Sequence, residues 1–370
     1  MNPFDRWREA RDRLQQQGRY RILQTPSGID FSSNDYLGYS QRSWPATSSA
    51  RSGTASRLLR GHHPIWDDVE SKLAAWHHAE AALMFTSGYA ANEGLLSTLV
   101  EPGDQVFSDE CNHASIIDGL RLSGAQKNIF RHNDPNALET QLRNRQRERT
   151  RQQAWFIVTE SLFGMEGDIA PLHELVELAD RYQAHLVVDE AHATGCFGAT
   201  GNGLVDSLGL RQRVLATIHT GGKALAVPGA YIVGSLLLKE MLINKCRHFI
   251  FTTALPPQIG AWWLDVLAVV GTDTATRETL HERSVSFRRE SSARRITVGG
   301  DNYIATLLLG ADAVAVEAAR RLQQQGFDVR AIRPPTVPAN TARLRISIHA
   351  DHDLVVLRAL VDALRRICPG

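Results

Sequence analysis

Lysine is scarce in this chain. Only five of its 41 lysine and arginine residues are lysines, at positions 72, 127, 223, 239 and 245. Four of them stand in polar or helical surroundings, where we expect them to be solvated. Lys223 differs, because it follows an apolar run and has Gly221, Gly222 and Ala224 as neighbours. Small neighbours let a bulky group approach the amine, and a lysine that acts as a nucleophile needs that access.

Other absences argue against whole classes of protein. The four cysteines are scattered and form no CxxC pair, which favours free thiols in the cytoplasm over a disulfide framework or a zinc site. No apolar run reaches the roughly 20 residues of a membrane helix, and no secretory signal pattern is visible. With 41 basic and 40 acidic residues, the charge balance gives no reason to expect a nucleic acid or a membrane as partner.

Two patterns that are typical of other functions have simpler explanations here. No third metal ligand is placed by the sequence beside the histidine pairs, so we predict no metal site and expect solvated or capping roles for the histidines at positions 62, 63, 77, 78, 349 and 352. The arginine-rich run RNRQRERTRQQ contains glutamate and glutamine but no interleaved aromatic residue. It predicts a solvated helix and loop rather than an RNA-binding segment.

Short apolar runs alternate with helical patterns through the middle of the chain. The runs include AALMF, QVFSD, WFIVTE, HLVVD, ATIHT and AYIVG. This alternation predicts an α/β fold with a mostly parallel central sheet and helices on both faces. After about Pro256 the pattern becomes that of a smaller α+β domain. We therefore predict an N-terminal helix and substrate-access segment at 1–45, a large domain at 46–258 and a small C-terminal domain at 259–370.

A carboxylate and the unusual lysine are predicted at neighbouring strand ends. Asp189 closes the apolar run HLVVD, one further strand separates it from Lys223, and His192 follows it three residues later. A buried carboxylate beside a pyridine nitrogen keeps that nitrogen protonated, which is what pyridoxal 5′-phosphate (PLP) chemistry requires. His192 could then bond the phenolic oxygen of the ring. Taken alone, Asp189 could equally cap a helix, and Lys223 could be an ordinary lysine on a glycine-rich turn.

Two weaker signals suit the same cofactor. Gly88 stands where an apolar strand turns into a helix, and a helix N-terminus attracts phosphate. Thr220, three residues before Lys223, is a plausible second phosphate ligand. His113 stands in a turn before another helix, where its imidazole could stack on a flat ring. A surface or capping histidine is the alternative for His113.

The motifs NDYLG, SGYAAN, HAS, TESLFGMEGD, DEAHATG and TGGKAL resemble, in this order and over nearly the whole chain, those of the α-oxoamine synthases. These enzymes have the fold-type I, aspartate aminotransferase-like fold of PLP-dependent transferases. The resemblance implies that Lys223 holds PLP as a Schiff base, and it assigns further cofactor contacts to residues with matching positions. These are His113 on the ring, Asp189 at the pyridine nitrogen, His192 at the phenolic oxygen, and Gly88, Tyr89 and Thr220 near the phosphate.

The same resemblance implies substrate contacts and a homodimer. Arg345 would hold the amino-acid carboxylate as a bidentate guanidinium, with Asn34, His113 and Thr336 nearby. Arg21, or its rival Arg19, would meet the acyl substrate. Thr253 in FTTALPP would reach the phosphate of the partner subunit.

The segment RPPTVPANTARLRISIHADH indicates one branch of the family. It resembles the branch that condenses L-alanine with a pimeloyl thioester, carried by CoA or an acyl carrier protein, in biotin biosynthesis. Other branches of the family, and a non-catalytic protein on the same fold, stay as alternatives.

Three features depart from the family pattern. Gly164 stands where a serine that contacts the cofactor is usual, the segment 41–52 is shorter than usual, and SGTASR replaces a more glycine-rich loop. None of them removes a group essential to the chemistry. They bear on the active-site entrance and hence on the acyl substrate.

Overall fold

A computed structural model describes residues 3–18, 20, 27–44, 52–150 and 153–367. The chain divides into two compact units. The larger unit comprises residues 37–163 and 169–278, and the smaller one comprises the residues up to 36, 164–168 and those from 279 onward. The edges of these units differ from the domain ranges expected from the sequence, which stay a prediction.

The described strands are short. They are β1 (Ile29–Asp30), β2 (Ala81–Phe85), β3 (Gln105–Asp109), β4 (Gln126–Phe130), β5 (Trp155–Glu160), β6 (His185–Asp189), β7 (Ala216–Thr220), β8 (Ala230–Gly234), β9 (Ile304–Gly310), β10 (Phe327–Asp328), β11 (Arg330–Ile332) and β12 (Ala342–Ser347).

The described α-helices range from one turn to 20 residues. They are α1 (Pro3–Gln16), α2 (Ile65–Trp76), α3 (Gly88–Leu99), α4 (Ala114–Ser123), α5 (Pro135–Gln146), α6 (Leu172–Arg181), α7 (Leu204–Ser207), α8 (Leu236–Lys245), α9 (Arg247–Ile250), α10 (Pro257–Val270), α11 (Thr274–Ala293), α12 (Asp312–Gln324) and α13 (Leu354–Ile367). Short 3-10 helices span Tyr39–Gln41 and Arg211–Arg213. None of the described helices is both long enough and apolar enough to cross a membrane.

The larger unit is built on a seven-stranded sheet of order β2-β8-β7-β6-β5-β3-β4. Only β8 runs against its neighbours β2 and β7; the other adjacent pairs are parallel. Every residue of β2, β3, β5 and β8 is buried, as expected for strands covered on both faces. The predicted α/β architecture with a mostly parallel sheet is confirmed.

Helix α3 covers the centre of one face of this sheet. Its Leu95 and Leu96 lie in one buried cluster with Val187 of β6, Ile218 of β7 and Ile232 of β8. Fully burying a side chain of this size stabilises a fold by about 1.5–3 kcal/mol. This packing fixes the first turn of α3 against the carboxyl ends of β6 and β7.

The smaller unit has its own sheets. Strands β11, β12 and β9 form an antiparallel sheet, and β1 pairs with β10 in parallel. Helix α12 packs on this antiparallel sheet and contacts α13. The α+β character predicted for the C-terminal part of the chain is confirmed.

Several expectations about solvated side chains are wrong. His77, His349 and His352 are buried. Two of them have short hydrogen bonds to protein atoms: His77 Nε2 lies 2.8 Å from Tyr231 Oη, and His352 Nε2 lies 2.8 Å from the Asp30 carbonyl oxygen.

Lys239 is also not a solvated lysine. It forms an ion pair with the buried carboxylate of Glu70, with Nζ and Oε2 2.7 Å apart. Lys72, Lys127 and Lys245 are exposed, as expected.

Candidate active site

Asp189 lies at the carboxyl end of β6 in the larger unit, and only 5% of its surface is exposed. Each carboxylate oxygen accepts one hydrogen bond. Oδ1 accepts from the backbone N–H of Ala191 at 2.8 Å, and Oδ2 accepts from Asn92 Nδ2 at 2.7 Å. The strand thus presents a fixed, buried carboxylate at the edge where parallel sheets bind ligands.

Lys223 follows β7, the parallel neighbour of β6, by three residues. Its Nζ lies 2.9 Å from Nε2 of His192, a buried histidine in the turn after Asp189. The space around Gly222 is open, because a Cβ built there would meet no heavy atom within 4 Å. The predicted access to the lysine is therefore present on this side.

His113 is the N-cap of α4, and its Nδ1 accepts from the backbone N–H of Ser115. Its own backbone N–H donates to Glu160 Oε1 at 2.7 Å. Partial burial lowers the pKa of His113. The positive charge of Lys223 lowers this pKa further, whereas the nearby carboxylate of Asp189 raises it. His113 therefore caps α4 and also lies near Asp189 and Lys223.

The first turn of α3 faces Thr220. Ser87 caps the helix by accepting from the backbone N–H of Ala90, and a Cβ at Gly88 would lie 3.6 Å from Cβ of Thr220. Free backbone N–H groups at the start of a helix, together with a hydroxyl group, suit a phosphate. Tyr89 follows, with its ring centroid 6.2 Å from that of His113.

These groups fit PLP. The set contains a buried carboxylate for a pyridine nitrogen, an imidazole beside a lysine amine, and a helix N-terminus with a hydroxyl for a phosphate. In the larger unit Gly88 lies against Thr220, Lys223 against His192 and Tyr89 near His113, and the charges of Asp189 and Lys223 both act on His113. Their individual roles stay predictions.

Arg345 of β12 lies in the smaller unit and is 5% exposed. Its Nε donates to the Gly164 carbonyl oxygen at 2.5 Å, and Nη1 donates to Ser347 Oγ at 2.7 Å. Nη2 donates to Asn34 Oδ1 at 2.8 Å and to Tyr36 Oη at 3.1 Å. The predicted pair of Arg345 and Asn34 is thus brought together, with Gly164 contributing its backbone.

Other predicted site residues are exposed or fall outside the described residues. Thr253 is exposed in the loop after α9, and Thr336 is exposed in the turn after β11. Arg21 and its rival Arg19 lie outside the described residues, as does most of the shortened segment 41–52. In the loop SGTASR, Thr54 has a φ of 61°, a left-handed conformation that favours glycine.

Sequence reasoning missed three residues that hold this site. Asn92 bonds Asp189, Ser115 bonds His113 through Nδ1 and Oγ 2.8 Å apart, and Glu160 anchors the backbone of His113. A signal was available for Asn92, since it closes the motif SGYAAN one helical turn after Gly88 and so shares its face of α3.

Comparison with known proteins identifies the class. Residues 26–364 match the family model of aminotransferase class I and II. The chain is 42% identical to the 8-amino-7-oxononanoate synthase of Anaeromyxobacter dehalogenans, covering 92% of this chain and 86% of that protein. It is 40% identical to the enzyme of that name from Chlorobaculum parvum, covering 92% and 89%.

Solved structures give the same result. A serine palmitoyltransferase variant from S. paucimobilis, with a bound PLP–myriocin aldimine, is 28% identical and has a TM-score of 0.88 over 98% of both chains. The 8-amino-7-oxononanoate synthase of Francisella tularensis is 28% identical, with a TM-score of 0.75 over 92% of this chain and 97% of that one. The chain belongs to the aminotransferase class I and II family and, within it, to the PLP-dependent α-oxoamine synthases.

Proposed function

We propose that this chain is an 8-amino-7-oxononanoate synthase. It would condense L-alanine with a pimeloyl thioester, releasing CO2 and the free thiol and forming 8-amino-7-oxononanoate for biotin biosynthesis. The observation that carries the proposal is the joint presence of the Asp189–Lys223 group and of 40–42% identity to synthases of this name over about nine-tenths of the chain. No other described lysine is placed beside a buried carboxylate at the carboxyl end of the parallel strands.

When bound, PLP supplies the electron sink that makes the α-carbon of an amino acid acidic. Asp189 would hold the pyridine nitrogen protonated, because it is buried and its two oxygens are already oriented by Ala191 and Asn92. Lys223 would attach the cofactor and then move the α-proton with Nζ. His192, 2.9 Å from that atom, would fix the position of the amine and bond the phenolic oxygen.

Arg345 would bind the carboxylate of the amino acid. Its guanidinium is held by four acceptors, so little side-chain entropy remains to be lost on binding. With four of its five N–H groups engaged in this way, the guanidinium offers the substrate carboxylate its positive charge and one N–H of Nη1. Asn34 accepts a hydrogen bond from Nη2 of Arg345 and would lie at the edge of the same subsite.

Some parts of the proposal rest on the family alone. We propose a cytoplasmic homodimer in which Thr253, exposed in the described residues, approaches the phosphate of the partner subunit. The thioester carrier would be CoA or an acyl carrier protein. Light scattering of the holoenzyme during gel filtration tests the dimer, and parallel assays with the two pimeloyl thioesters test the carrier.

The rival function is that of another α-oxoamine synthase, a 2-amino-3-ketobutyrate ligase, a serine palmitoyltransferase or an acyl-amino ketone synthase. The structural match to serine palmitoyltransferases favours it, although at 26–28% identity. The deciding measurement is release of CO2 and thiol from pimeloyl-CoA with alanine, glycine and serine offered in turn. We expect selective turnover with alanine. Turnover with glycine or serine instead would retain the enzyme class and refute the assigned substrate.

A further inference from the structure

Asn92 lies between Asp189 and His113, the two residues that we expect to contact the cofactor ring. It is 2% exposed, and both hydrogens of its amide are used. Nδ2 donates to Asp189 Oδ2 at 2.7 Å and to Ser115 Oγ at 3.0 Å. Reversing the amide would set its oxygen against the carboxylate, so the orientation is determined by chemistry.

Ser115 connects Asn92 to His113. Its Oγ accepts from Asn92 and can donate its own hydrogen to Nδ1 of His113, which lies 2.8 Å away. The backbone N–H of Ser115 points at the same nitrogen from 3.3 Å. Two donors directed at Nδ1 leave no place for a proton on it. His113 is then a neutral imidazole with its hydrogen on Nε2.

Gly119 makes the close contact between α3 and α4 possible. Helix α4 crosses α3 where Gly119 faces Asn92, and a Cβ at Gly119 would lie 3.0 Å from the carbonyl oxygen of Asn92 and from Cα of Glu93. The two backbones therefore approach more closely than is usual beside a residue with a Cβ. This approach brings Ser115, one turn earlier on α4, within reach of the Asn92 amide.

We propose that Asn92 and Ser115 are positioning residues that couple Asp189 to His113, holding the carboxylate in place and the imidazole in its Nε2–H form. One side chain on α3 thereby orients both the group at the pyridine nitrogen and the group on the ring face. The inference rests on the proposed PLP contacts of Asp189 and His113 and deepens them. A purely structural role, in which Asn92 only fastens α3 to α4, is the competing explanation.

The test uses ¹⁵N-histidine-labelled holoenzyme, with the ring signals of His113 assigned through a His113→Asn variant. The wild type should show the Nε2–H form. Asn92→Ala should mix the two ring forms and raise the PLP dissociation constant about tenfold to a hundredfold, the usual effect of losing a hydrogen bond to a charged group. Ser115→Ala should mix the ring forms while changing the PLP dissociation constant by less than about threefold, because the bond to Asp189 remains.

Asn128→Ala is the matched control. Asn128 lies on β4, and its Nδ2 donates to Gln105 Oε1 at 2.9 Å and to the Val106 carbonyl oxygen at 3.3 Å, so this variant removes another side-chain amide with two donated hydrogen bonds from the larger unit. It should lower the thermal midpoint without moving PLP affinity or the His113 signals. If Asn92→Ala behaves like this control, the structural explanation holds and the coupling is refuted.

Failure of the proposed function gives a different pattern. A wild type that binds PLP but does not turn over alanine with pimeloyl-CoA refutes the substrate assignment, and the ring signals and PLP affinity of the variants still decide the coupling. A wild type with His113 protonated on Nδ1 refutes the coupling whatever the substrate proves to be.

Discussion

The two faces of the central sheet carry polar groups of different kinds at the same strand ends. Successive side chains of a strand point to opposite faces, so neighbouring residues are separated. Asp189 goes to the face covered by α3, while Glu190 accepts from the backbone N–H of Leu204 at the start of α7. In the same way Thr220 faces the first turn of α3, and His219 stacks on Tyr231 with ring centroids 4.8 Å apart.

The second face is a closed network. His219 Nδ1 and Nε2 each lie 2.8 Å from a threonine Oγ1, that of Thr194 and that of Thr217. His77 is bonded on both ring nitrogens as well, by Asp206 at 3.1 Å and by Tyr231 at 2.8 Å. Burial lowers the pKa of both histidines. All four ring nitrogens of the two histidines therefore have a partner, whereas on the Asp189 face the space beside Gly222 is open.

The comparison shows that being at a strand end does not make a polar residue part of the active site. Groups on the Asp189 face should control cofactor binding and turnover, and groups on the Glu190 face should control stability. Substitution of neighbouring residues on opposite faces separates the two effects.

The largest effect is expected for Lys223→Ala. Removing this amine, the only one that the described residues place beside His192, should lower turnover by at least about 10⁴-fold and abolish the visible absorbance of covalently held PLP. The control is Lys127→Ala, which removes an exposed lysine of β4. Steady-state assays with absorbance spectra provide the measurement. Substantial turnover by Lys223→Ala would contradict the whole assignment.

The next comparison uses the adjacent acids. Asp189→Asn keeps the size of the side chain but removes the charge that holds a pyridine nitrogen protonated, so kcat should fall on the order of 10²-fold. Glu190→Gln should leave kcat within about threefold, because Glu190 faces α7. Equal losses in the two variants would show that the faces are not separate in function.

We expect the titration of Glu190 to affect the pH dependence of stability instead of turnover. Burial raises its pKa to about 7, from an ordinary value of 4.5. Between these values the folded protein holds a proton that the unfolded chain has lost, so stability should decrease as pH rises through that window, by up to about 3 kcal/mol, and level off above it.

Glu190→Gln should remove this slope, measured as the difference in thermal midpoint between variant and wild type from pH 4.5 to 8. His77 and His219 act in the opposite sense, since their lowered pKa values cost stability as pH falls below about 6.5. Taking the difference between the two proteins cancels their contribution. If the thermal midpoints of wild type and variant change with pH in parallel, protonation of Glu190 does not contribute to the pH dependence of stability.

The sequence predicted one face of the strand ends much better than the other. Asp189, Lys223 and His113 are recognisable because strand ends, small neighbours and motif order constrain them. The buried histidines were mistaken for solvated ones, because their partners come from distant positions: Tyr231 is 154 residues from His77 in the chain. The motif SGYAAN indicates the helix face of Asn92 but not its partners, since the contacts with Asp189 and Ser115 depend on the packing of α3 against the sheet and α4.

The smallest expected effects come from two threonines of β7. Thr217 is 1% exposed; it accepts from Arg211 Nη1 at 3.0 Å and lies 2.8 Å from His219 Nε2. Thr194 already donates its hydroxyl hydrogen to the Glu190 carbonyl oxygen, so it accepts from His219 Nδ1, and Nε2 must accept from Thr217. Thr217→Val therefore leaves one buried donor and one buried acceptor unsatisfied, at a cost of about 1–2 kcal/mol of stability.

Thr220→Val makes the same chemical change on the other face. It removes a hydroxyl that lies beside Gly88 and has one long contact, 3.5 Å to the Gly229 carbonyl oxygen. Stability should change by less than about 0.5 kcal/mol, while the PLP dissociation constant should rise severalfold because the hydroxyl is a proposed phosphate ligand. Thermal melts and PLP titrations of both variants give a two-by-two comparison. If Thr217→Val weakens PLP binding as much as Thr220→Val does, the strand acts as one unit and the separation of the faces is wrong.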